Sequence, residues 1–384
     1  MAGIYLHIPF CRSRCIYCGF YSTTALSLRQ RYVDALCREM EMRRQEWQEM
    51  VAVNRQPHTI YLGGGTPSQL TTGQLSQIFN SLDSLTPSAS EVTIECNPDD
   101  VTPDFTRALR QMPVNRVSMG AQTMDDRRLK FLRRRHSSQQ VTEAVRRLRQ
   151  AGIGNISIDL IYGFPGETLA EWMADINAVL ALGVEHISAY SLSYEESTPL
   201  HRLMMSGDSR YAPIDEELSL SMYETLIDRL SASGFEHYEI SNFARKAPDG
   251  SRSLRSLHNS SYWTDVPYIG LGAAAHSYNL RSRRWNPSDI KAYMEGVESG
   301  TVAYEEELID SDTRYNDRVM LSLRTREGLL LDSLSSAQRR YCLSQAQPYI
   351  DSGYLRLDSD GSRLCLSRRG IFVSDMVMSS LMIV

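Results

Sequence analysis

The sequence lacks both a long apolar run and an excess of positive charge. Its apolar residues come in short groups, and none fills the roughly 20 consecutive positions that a membrane-spanning helix needs. The 384-residue chain has a formal net charge of -5, which argues against nucleic-acid binding as its main function. No secretory signal precedes the first strand-like segment, so we expect a cytoplasmic protein.

The sequence also lacks the cysteine spacing of a disulfide framework. Four of its seven cysteines are scattered without motif spacing, at Cys37, Cys96, Cys342 and Cys365. This pattern is typical of a protein in a reducing compartment. The other three cysteines lie close together near the N-terminus and need a different explanation.

Cys11, Cys15 and Cys18 have the spacing C-x3-C-x2-C. Thiolates are the preferred ligands of iron-sulfur clusters, and three of them on one short loop can hold a 4Fe-4S cluster while the fourth iron stays open. In radical-SAM proteins that iron binds S-adenosylmethionine (SAM), so the spacing predicts both cofactors. A closed Cys3His zinc site that includes His7 is the alternative that the cysteines alone leave open.

Short β-branched segments alternate with segments of helical periodicity over the first half of the chain. We predict strands at Ile4–Ile8, Thr59–Leu62, Glu91–Glu95, Arg116–Met119, Ile156–Leu160 and His186–Tyr190. Apolar residues at helical spacing follow each strand, and Gly152 and Gly183 stand where two of these helices should end. Repeated strand–helix units form a parallel sheet. The predicted fold class is therefore α/β, with an incomplete (β/α)6 barrel favoured over a doubly wound sheet.

Polar and glycine-rich motifs stand at the ends of these predicted strands. In chain order they are the cysteine loop, Gly63–Thr66, Glu95, Gln122 and Asp159. The carboxyl ends of the strands in a parallel barrel meet at one face and build its site. Consecutive glycines there let backbone groups approach a polar ligand closely. We therefore expect these residues to converge on one site.

Five ordered motifs resemble one known family, and the match runs over nearly the whole chain. They are YLHIPFC at 5–11, GGGTP at 63–67, IECNP at 94–98, SMGAQ at 118–122 and IDLIYGFPGE at 158–167. Together they are similar to the radical-SAM family that contains the oxygen-independent coproporphyrinogen III oxidases and the HemW haem chaperones. The resemblance implies that Cys11, Cys15 and Cys18 ligate the cluster. It further implies a SAM pocket formed by Tyr5, Tyr17, Gly64, Gly65, Thr66, Glu95, Gln122, Arg134 and Asp159.

A later segment, HNSSYW at residues 258–263, matches the HNxxYW sequence of the HemW-like branch. His258 offers an imidazole to haem iron. Tyr262 and Trp263 offer flat apolar faces to a porphyrin and polar tips to its edge. His258, Tyr262 and Trp263 are therefore candidate haem-binding residues, with His276 as a competing ligand.

The densest basic run of the chain extends from residue 127 to residue 135. It contains LRRRH, with Arg133 at the place where the resembled family usually has the glycine of LGRxH. Most basic runs are solvated helix faces. The alternative is that this basic run binds haem propionates, an acidic partner or an anionic membrane surface.

We predict three sections in the chain. They are a radical-SAM core barrel at 1–240, a connecting segment with the HNxxYW motif at 241–311 and a small winged-helix-like domain at 312–384. The last rests on helical patterns followed by Tyr354–Leu357 and Arg363–Leu366 across a DSDG turn, which is a hairpin signature. No clear basic recognition helix is present, so a lid or partner-docking role is favoured over DNA binding.

One position distinguishes the two functions of the resembled family. The oxidases resemble C-x3-C-x2-C-x-C, and Phe20 takes the place of that last cysteine. Phe20 and the HNxxYW motif predict a haem chaperone that binds a cluster, SAM and haem, receives electrons from a donor, and delivers haem to an acceptor such as a respiratory protein. An oxygen-independent coproporphyrinogen III oxidase is the alternative, and a winged-helix regulator with a zinc site is the third candidate.

Overall fold

The structure of the protein is a computed structural model that describes residues 2–53, 58–86, 88–247, 250 and 253–384. The strands are β1 (Ala2–Ile8), β2 (His58–Gly64), β3 (Glu91–Cys96), β4 (Arg116–Gln122), β5 (Asn155–Tyr162), β6 (His186–Ser191), β7 (Phe235–Glu239), β8 (Asn242–Arg245), β9 (Tyr268–Leu271), β10 (His276–Tyr278), β11 (Ser282–Trp285), β12 (Glu305–Leu308), β13 (Leu329–Leu330), β14 (Leu355–Leu357) and β15 (Arg363–Leu366).

The α-helices alternate with these strands and then follow them. They are α1 (Arg29–Met42), α2 (Arg44–Val53), α3 (Thr72–Leu85), α4 (Pro103–Leu109), α5 (Asp126–Phe131), α6 (Ser138–Gln150), α7 (Leu169–Ala181), α8 (Pro199–Met205), α9 (Glu216–Ala232), α10 (Leu257–Tyr262), α11 (Ile290–Glu298), α12 (Ser311–Leu323), α13 (Ser336–Asp351), α14 (Arg368–Phe372) and α15 (Ser374–Ser380).

Six parallel strands form the centre of the large sheet. Strands β1 to β6 lie side by side in chain order, and each is hydrogen-bonded in parallel to the next. Helices connect successive strands, as parallel pairing requires. All six predicted strands are confirmed, each slightly longer than its sequence pattern indicated. The α/β incomplete (β/α)6 barrel is therefore confirmed.

The sheet continues beyond both edges of this barrel. Strand β9 pairs in parallel with β1, and β10, β11 and β12 follow it in antiparallel order. At the other edge β6 pairs with β8, and β8 with β7. The barrel consequently stays open, and the β9–β12 extension enlarges its inner face. The sequence patterns did not predict these additional strands.

Side chains alternate between the two faces of the central strands. On β1, Ile4 and Leu6 are fully buried in the main core that the helices cover, whereas Tyr5 faces the inside of the barrel. On β2 and β3 the residues of the inner face are polar, including Tyr61 and Glu95. The barrel interior is thus lined with polar groups, while the hydrophobic core lies outside it.

Local signals fix the ends of the connecting helices. Helices α3, α6 and α7 each begin with a capping box, built on Thr71, Ser137 and Thr168. Gly152 and Gly183, which follow α6 and α7, have φ angles of 90° and 66°. This left-handed conformation ends a helix and favours glycine, as the sequence predicted.

The C-terminal residues form a small domain with its own core. Helices α12 and α13 pack on the three-stranded sheet of β13, β15 and β14, and the predicted hairpin is the β14–β15 pair. This domain is joined to the barrel beside β7, where the Ile240 amide donates to the Arg324 carbonyl at 3.2 Å and the Arg326 amide to the Tyr238 carbonyl at 3.0 Å. No helix in the described ranges is long and apolar enough to cross a membrane.

Candidate functional site

The cysteine loop lies at the carboxyl end of β1 and is anchored on both sides. The Cys11 amide donates to the Thr23 carbonyl at 2.9 Å, and the Ile16 amide donates to the Leu132 carbonyl at 3.3 Å. Ile16 is also buried in a small apolar cluster with Leu132 and Phe164. The loop backbone is therefore held in place while its three thiols remain partly exposed.

The donor set of this loop fits a cluster better than a zinc ion. Both ring nitrogens of His7 are engaged, with Nδ1 3.2 Å from the Tyr5 hydroxyl and Nε2 3.1 Å from the Tyr21 carbonyl oxygen. In a 4Fe-4S cluster each thiolate binds a different iron, so no fourth protein ligand is needed. The three free thiols of Cys11, Cys15 and Cys18 meet that requirement, whereas a Cys3His site would have to release His7.

Each thiol sits in a defined polar environment. Cys11 Sγ lies 3.5 Å from Thr66 Oγ1, and Arg134 Nη1 donates to Cys15 Sγ at 3.7 Å. Burial raises the pKa of the Cys11 and Cys18 thiols. Positive charge at Arg134 favours thiolate formation at the loop, and a bound metal deprotonates a coordinating thiol outright.

Gly64 at the end of β2 and Gly65 directly after it pack against the segment that leads into the cysteine loop. A Cβ atom on Gly65 would lie 2.8 Å from the Pro9 carbonyl carbon, and one on Gly64 would lie 2.6 Å from His7 Cε1. Gly64 also has a φ angle of 105°. The Gly65 amide donates to the Ile8 carbonyl at 2.9 Å. The glycines are thus needed for packing, in addition to any approach to a ligand.

Two half-buried carboxylates face this end of the barrel. Tyr61 donates to Glu95 Oε1 at 2.7 Å, and Ser118 donates to Asp159 at 3.3 Å. Burial raises the pKa of Glu95 to about 7 and raises the pKa of Asp159 as well. Within the described ranges neither carboxylate forms an ion pair, so both can accept hydrogen bonds from a cationic ligand.

The end of β4 is irregular where it approaches the cysteine loop. A register shift between Gly120 and Gln122 accompanies a φ angle of 69° at Gln122. Arg134 donates to the Gly120 carbonyl and to Asn97 Oδ1, each at 2.6 Å. A Cβ atom on Gly120 would lie 2.7 Å from Gln122 Nε2. This β-bulge aims Gln122 and lets Arg134 reach the thiol of Cys15.

The two tyrosines that the resemblance assigned to the SAM pocket border the same space. Tyr5 stacks on Tyr61 with ring centroids 6.2 Å apart. Tyr17 lies on the cysteine loop, and burial raises the pKa of both Tyr5 and Tyr17. The structure therefore brings eight of the nine predicted SAM residues to the carboxyl end of the barrel, whereas Tyr5 lies midway along β1 and also approaches His258. Their individual roles stay predictions.

The HNxxYW segment occupies a different place. Its helix α10 begins at the Glu91 carboxylate, which accepts hydrogen bonds from the Leu257 and His258 amides at 2.9 Å each. His258 Nδ1 lies 2.9 Å from Thr59 Oγ1, and Nε2 lies 2.8 Å from the Tyr262 hydroxyl. Burial lowers the pKa of His258 to about 3. The ring is therefore neutral, enclosed and hydrogen-bonded at both nitrogens.

The remaining haem candidates have different surroundings. The Arg324 guanidinium lies 5.2 Å from the centre of a Trp263 ring, which links this side chain to the C-terminal domain. His276 on β10 is exposed and stacks on Trp285 with ring centroids 5.8 Å apart. Trp263 and His276 therefore have different contact partners, Arg324 and Trp285.

Comparison with known proteins gives consistent results over the length of the chain. The family described as the Radical SAM superfamily matches residues 5–179, and that described as the HemN C-terminal domain matches residues 309–373. The chain is 35% identical to the heme chaperone HemW of Bacillus subtilis, over 86% of this chain and 85% of that protein. It is 34% identical to HemW of Mycobacterium tuberculosis, over 99% of this chain and 94% of that protein.

The chain belongs to the HemW family of radical-SAM proteins.

A solved structure supports the same fold. The coproporphyrinogen III oxidase HemN from Escherichia coli, described as a radical SAM enzyme, matches with a TM-score of 0.80 and 21% identity, over 99% of this chain and 89% of that one. At this identity the match shows the fold alone. Membership of the HemW family implies a 4Fe-4S cluster and SAM, and the free thiols and unpaired carboxylates described above fit both.

Sequence reasoning missed Tyr61 and Arg116 inside the HemW-family barrel. Tyr61 joins Glu95 to the His258 ring, on which it stacks at 5.1 Å. Arg116 is 1% exposed, and its Nε and Nη1 atoms have no hydrogen-bond partner among the described residues. Strict alternation along β2 and β4 is the signal that places both side chains on the inner face.

Proposed function

We propose that the protein is a haem chaperone that binds a 4Fe-4S cluster, SAM and haem and delivers haem to an acceptor protein. The observation that carries this proposal is the 34% identity to a heme chaperone HemW over 99% of the chain. That similarity includes the C-terminal domain, so it covers more than the common SAM-binding barrel.

Phe20 supports the chaperone over the oxidase. Its side chain follows the last cluster cysteine by two positions and is 72% exposed. A phenyl ring cannot ligate iron or supply a thiol hydrogen atom to a substrate radical. The position therefore lacks the chemistry of the additional cysteine that marks the oxidase sequences.

The residues at the carboxyl end of the barrel have distinct roles in this proposal. The thiolates of the cysteine loop bind three irons, and Arg134 offsets negative charge beside Cys15. Glu95 and Asp159 would offset the positive charge of SAM and accept hydrogen bonds from its N–H and O–H groups. When bound, the cluster supplies an electron that can cleave the sulfonium of SAM. The backbone of Gly64 and Gly65 borders the methionine part of the ligand.

Haem and protein partners complete the proposal. The haem acceptor is a protein such as a respiratory enzyme, and a separate donor reduces the cluster. The C-terminal domain is the proposed docking unit for a protein partner, because it has its own core and contacts the barrel along one side. We place this function in the cytoplasm.

The test is anaerobic reconstitution of the full chain, followed by titration with haem and with coproporphyrinogen III. We expect about one haem per chain with a shifted Soret band, transfer of that haem to a haem-free acceptor, and no protoporphyrinogen IX in the presence of SAM and reductant. The same assays on Phe20→Cys show whether the missing cysteine alone accounts for the lack of oxidase activity. Formation of protoporphyrinogen IX by the unaltered protein at an enzymatic rate would replace the chaperone with the oxidase.

A further inference from the structure

The HNxxYW segment closes the amino-terminal end of the barrel. A Cβ atom on Gly3, near the start of β1, would lie 3.2 Å from His258 Cε1. Thr59, which pairs with Gly3 at the start of β2, bonds to Nδ1 on the same edge of this ring. The cysteine loop follows the opposite ends of these strands. His258 and the cysteine loop are therefore separated by the depth of the barrel.

Both ring nitrogens and one ring face of His258 already have contact partners at this position. Thr59 and Tyr262 occupy its two ring nitrogens, and one face of its ring stacks on Tyr61 at an interplanar angle of 27°. Tyr61 in turn donates to Glu95. Iron ligation would cost His258 one of these hydrogen bonds and would require haem to enter a filled space. Its contacts instead suit a support for Tyr61 and Glu95.

The sheet extension provides an open continuation of the inner barrel face. Gly270 on β9 pairs with Tyr5 on β1, so the face that carries Tyr5 continues onto β9. On β10, Ser277 accepts a hydrogen bond from Arg43 of the segment between α1 and α2 and therefore faces the helices. Because neighbours in a strand point to opposite faces, His276 faces the inside.

Flat side chains share this open face with His276. His276 pairs with Trp285 on β11, and Tyr278 pairs with both Tyr268 and Arg283. Directly paired residues lie on the same face of a sheet. The result is a surface of half-buried aromatic rings with one exposed imidazole, next to the strand that carries Tyr5. Arg283 adds a cation that is paired with Glu307 and Asp317.

The His276 imidazole is available as a ligand. No described residue hydrogen-bonds to its ring nitrogens, and the stack on Trp285, at an interplanar angle of 23°, orients the ring. Burial and the nearby Arg283 lower the pKa of His276. The ring is consequently neutral near pH 7, which is the form that binds iron.

We propose that His276 ligates haem iron on the open inner face of β9, β10 and β11, and that the HNxxYW segment supports the SAM pocket through Tyr61. This inference rests on the proposed haem-chaperone function. Iron binds in the plane of an imidazole ring, so the porphyrin would stand roughly perpendicular to the stacked rings of His276 and Trp285 and would contact Trp285 at its ring edge. Haem would thus bind beside the SAM pocket instead of beneath it.

The test compares His276→Ala with His258→Ala in the full chain, with His201→Ala as a control histidine. For His276→Ala we expect haem affinity to fall by about tenfold or more, because loss of even a hydrogen-bond partner of a metal ligand typically lowers metal affinity by that factor. The Soret shift and the EPR signal of histidine-ligated ferric haem should also be lost, and added imidazole should restore them. SAM affinity should stay unchanged. For His258→Ala we expect the reverse pattern, with weaker SAM binding and an unchanged haem spectrum.

Two conservative variants keep the test informative if His258→Ala does not fold. Tyr262→Phe removes only one hydrogen bond to His258 and should leave the haem spectrum unchanged. Tyr61→Phe removes the hydrogen bond to Glu95 and should weaken SAM binding.

Absence of haem binding by the unaltered chain would refute the proposed function itself. If the unaltered chain binds haem, an unchanged spectrum in His276→Ala, or no recovery with imidazole, would refute the ligand assignment alone. Loss of the haem spectrum in a folded His258 variant would also overturn it.

Discussion

The cysteine loop at one end of the barrel and the His258 ring at the other differ in how completely their polar groups are satisfied. At the carboxyl end, three thiols are free and the Glu95 and Asp159 carboxylates have no ion-pair partner within the described ranges. At the amino end, the His258 ring is enclosed and bonded at both nitrogens. Groups with unused bonding capacity are those that can receive a ligand. The comparison therefore assigns ligand binding to the carboxyl end and a supporting role to His258.

Left-handed backbone occurs beside the cysteine loop and also in the later segments, at Asp265, Ala274 and Leu280. Gln122 and Arg133 both have left-handed φ angles, at 69° and 60°, and both lie beside the cysteine loop. Strained residues persist where the surrounding structure or the function requires them. Near His258 the strands are regular, with seven consecutive parallel pairs between β1 and β2. Tyr61 connects the two ends, because it touches both His258 and Glu95.

Removal of the thiols should have the largest effect and would test the assignment of the carboxyl end directly. Simultaneous replacement of Cys11, Cys15 and Cys18 by alanine should abolish the cluster, because no other described side chain replaces the lost ligands. Iron and sulfide content and the EPR signal of the reduced protein provide the measurement. Alanine at Cys37, Cys342 and Cys365 together is the matched control and should retain the cluster. Stoichiometric zinc in the unaltered protein would contradict the prediction.

Glu95→Gln should change both the strength and the pH dependence of SAM binding. The pKa of Glu95 is raised to about 7 by burial, so the carboxylate loses its charge as the pH falls through 7. Because a cation binds the ionised form, SAM affinity of the unaltered protein should rise as the pH increases from 6 to 8. The glutamine variant should not show this rise of SAM affinity with pH. It should bind SAM about tenfold or more weakly at pH 8, since a hydrogen bond to a charged group contributes about 1.5–3 kcal/mol.

The control for Glu95→Gln is Glu239→Gln, at the end of β7. Burial raises the pKa of Glu239 too, but this residue bonds to Asn242 outside the SAM pocket. Its replacement should leave the pH dependence of SAM affinity intact. Equilibrium dialysis of SAM at three pH values measures both variants. Equal pH profiles for Glu95→Gln and the unaltered protein would remove Glu95 from the site.

The features of the two barrel ends that could be predicted from the sequence are those with a local sequence pattern. The six central strands are β-branched runs, and the polar motifs follow them directly, so the carboxyl-end site could be assembled from strand order alone. The position of His258 depends on contacts with Gly3 and Thr59, more than 190 residues away in the chain. The short strands β9 to β12 contain three or four residues each and several charges. Local periodicity cannot predict either feature, because His258 and β9 are placed by contacts far away in the chain and β10 to β12 are too short to show a pattern.

Thr59→Val tests whether the amino end is a hydrogen-bonded support. The replacement keeps the shape of the side chain and removes the hydroxyl that lies 2.9 Å from His258 Nδ1. A buried polar atom left without a partner costs about 1–3 kcal/mol, so the free energy of unfolding should fall by that amount. Urea unfolding of the cluster-free chain measures the change. Thr93→Val is a sensitive control, because Thr93 Oγ1 is buried without a hydrogen-bond partner and its loss should not destabilise the protein.

The smallest expected effect comes from relaxing strain at the carboxyl end. Arg133 directly follows the C-cap residue of α5 and has a φ angle of 60°, in a position where helices favour glycine. Its side chain is exposed and forms no ion pair with the described residues. Arg133→Gly should therefore raise the free energy of unfolding by about 0.5–1 kcal/mol, because glycine adopts this conformation without a Cβ penalty.

Gly152→Ala is the mirror-image control for Arg133→Gly. Gly152 occupies the same position after α6, with a φ angle of 90° and no atom within 4 Å of an added Cβ. Alanine there should destabilise the chain by about 1 kcal/mol through backbone conformation alone. Arg133→Ala keeps the Cβ atom and should change stability little. If Arg133→Gly instead lowers stability while Gly152→Ala behaves as expected, the arginine side chain contributes a contact that outweighs the strain, and the comparison of the two barrel ends would lose one of its strained residues.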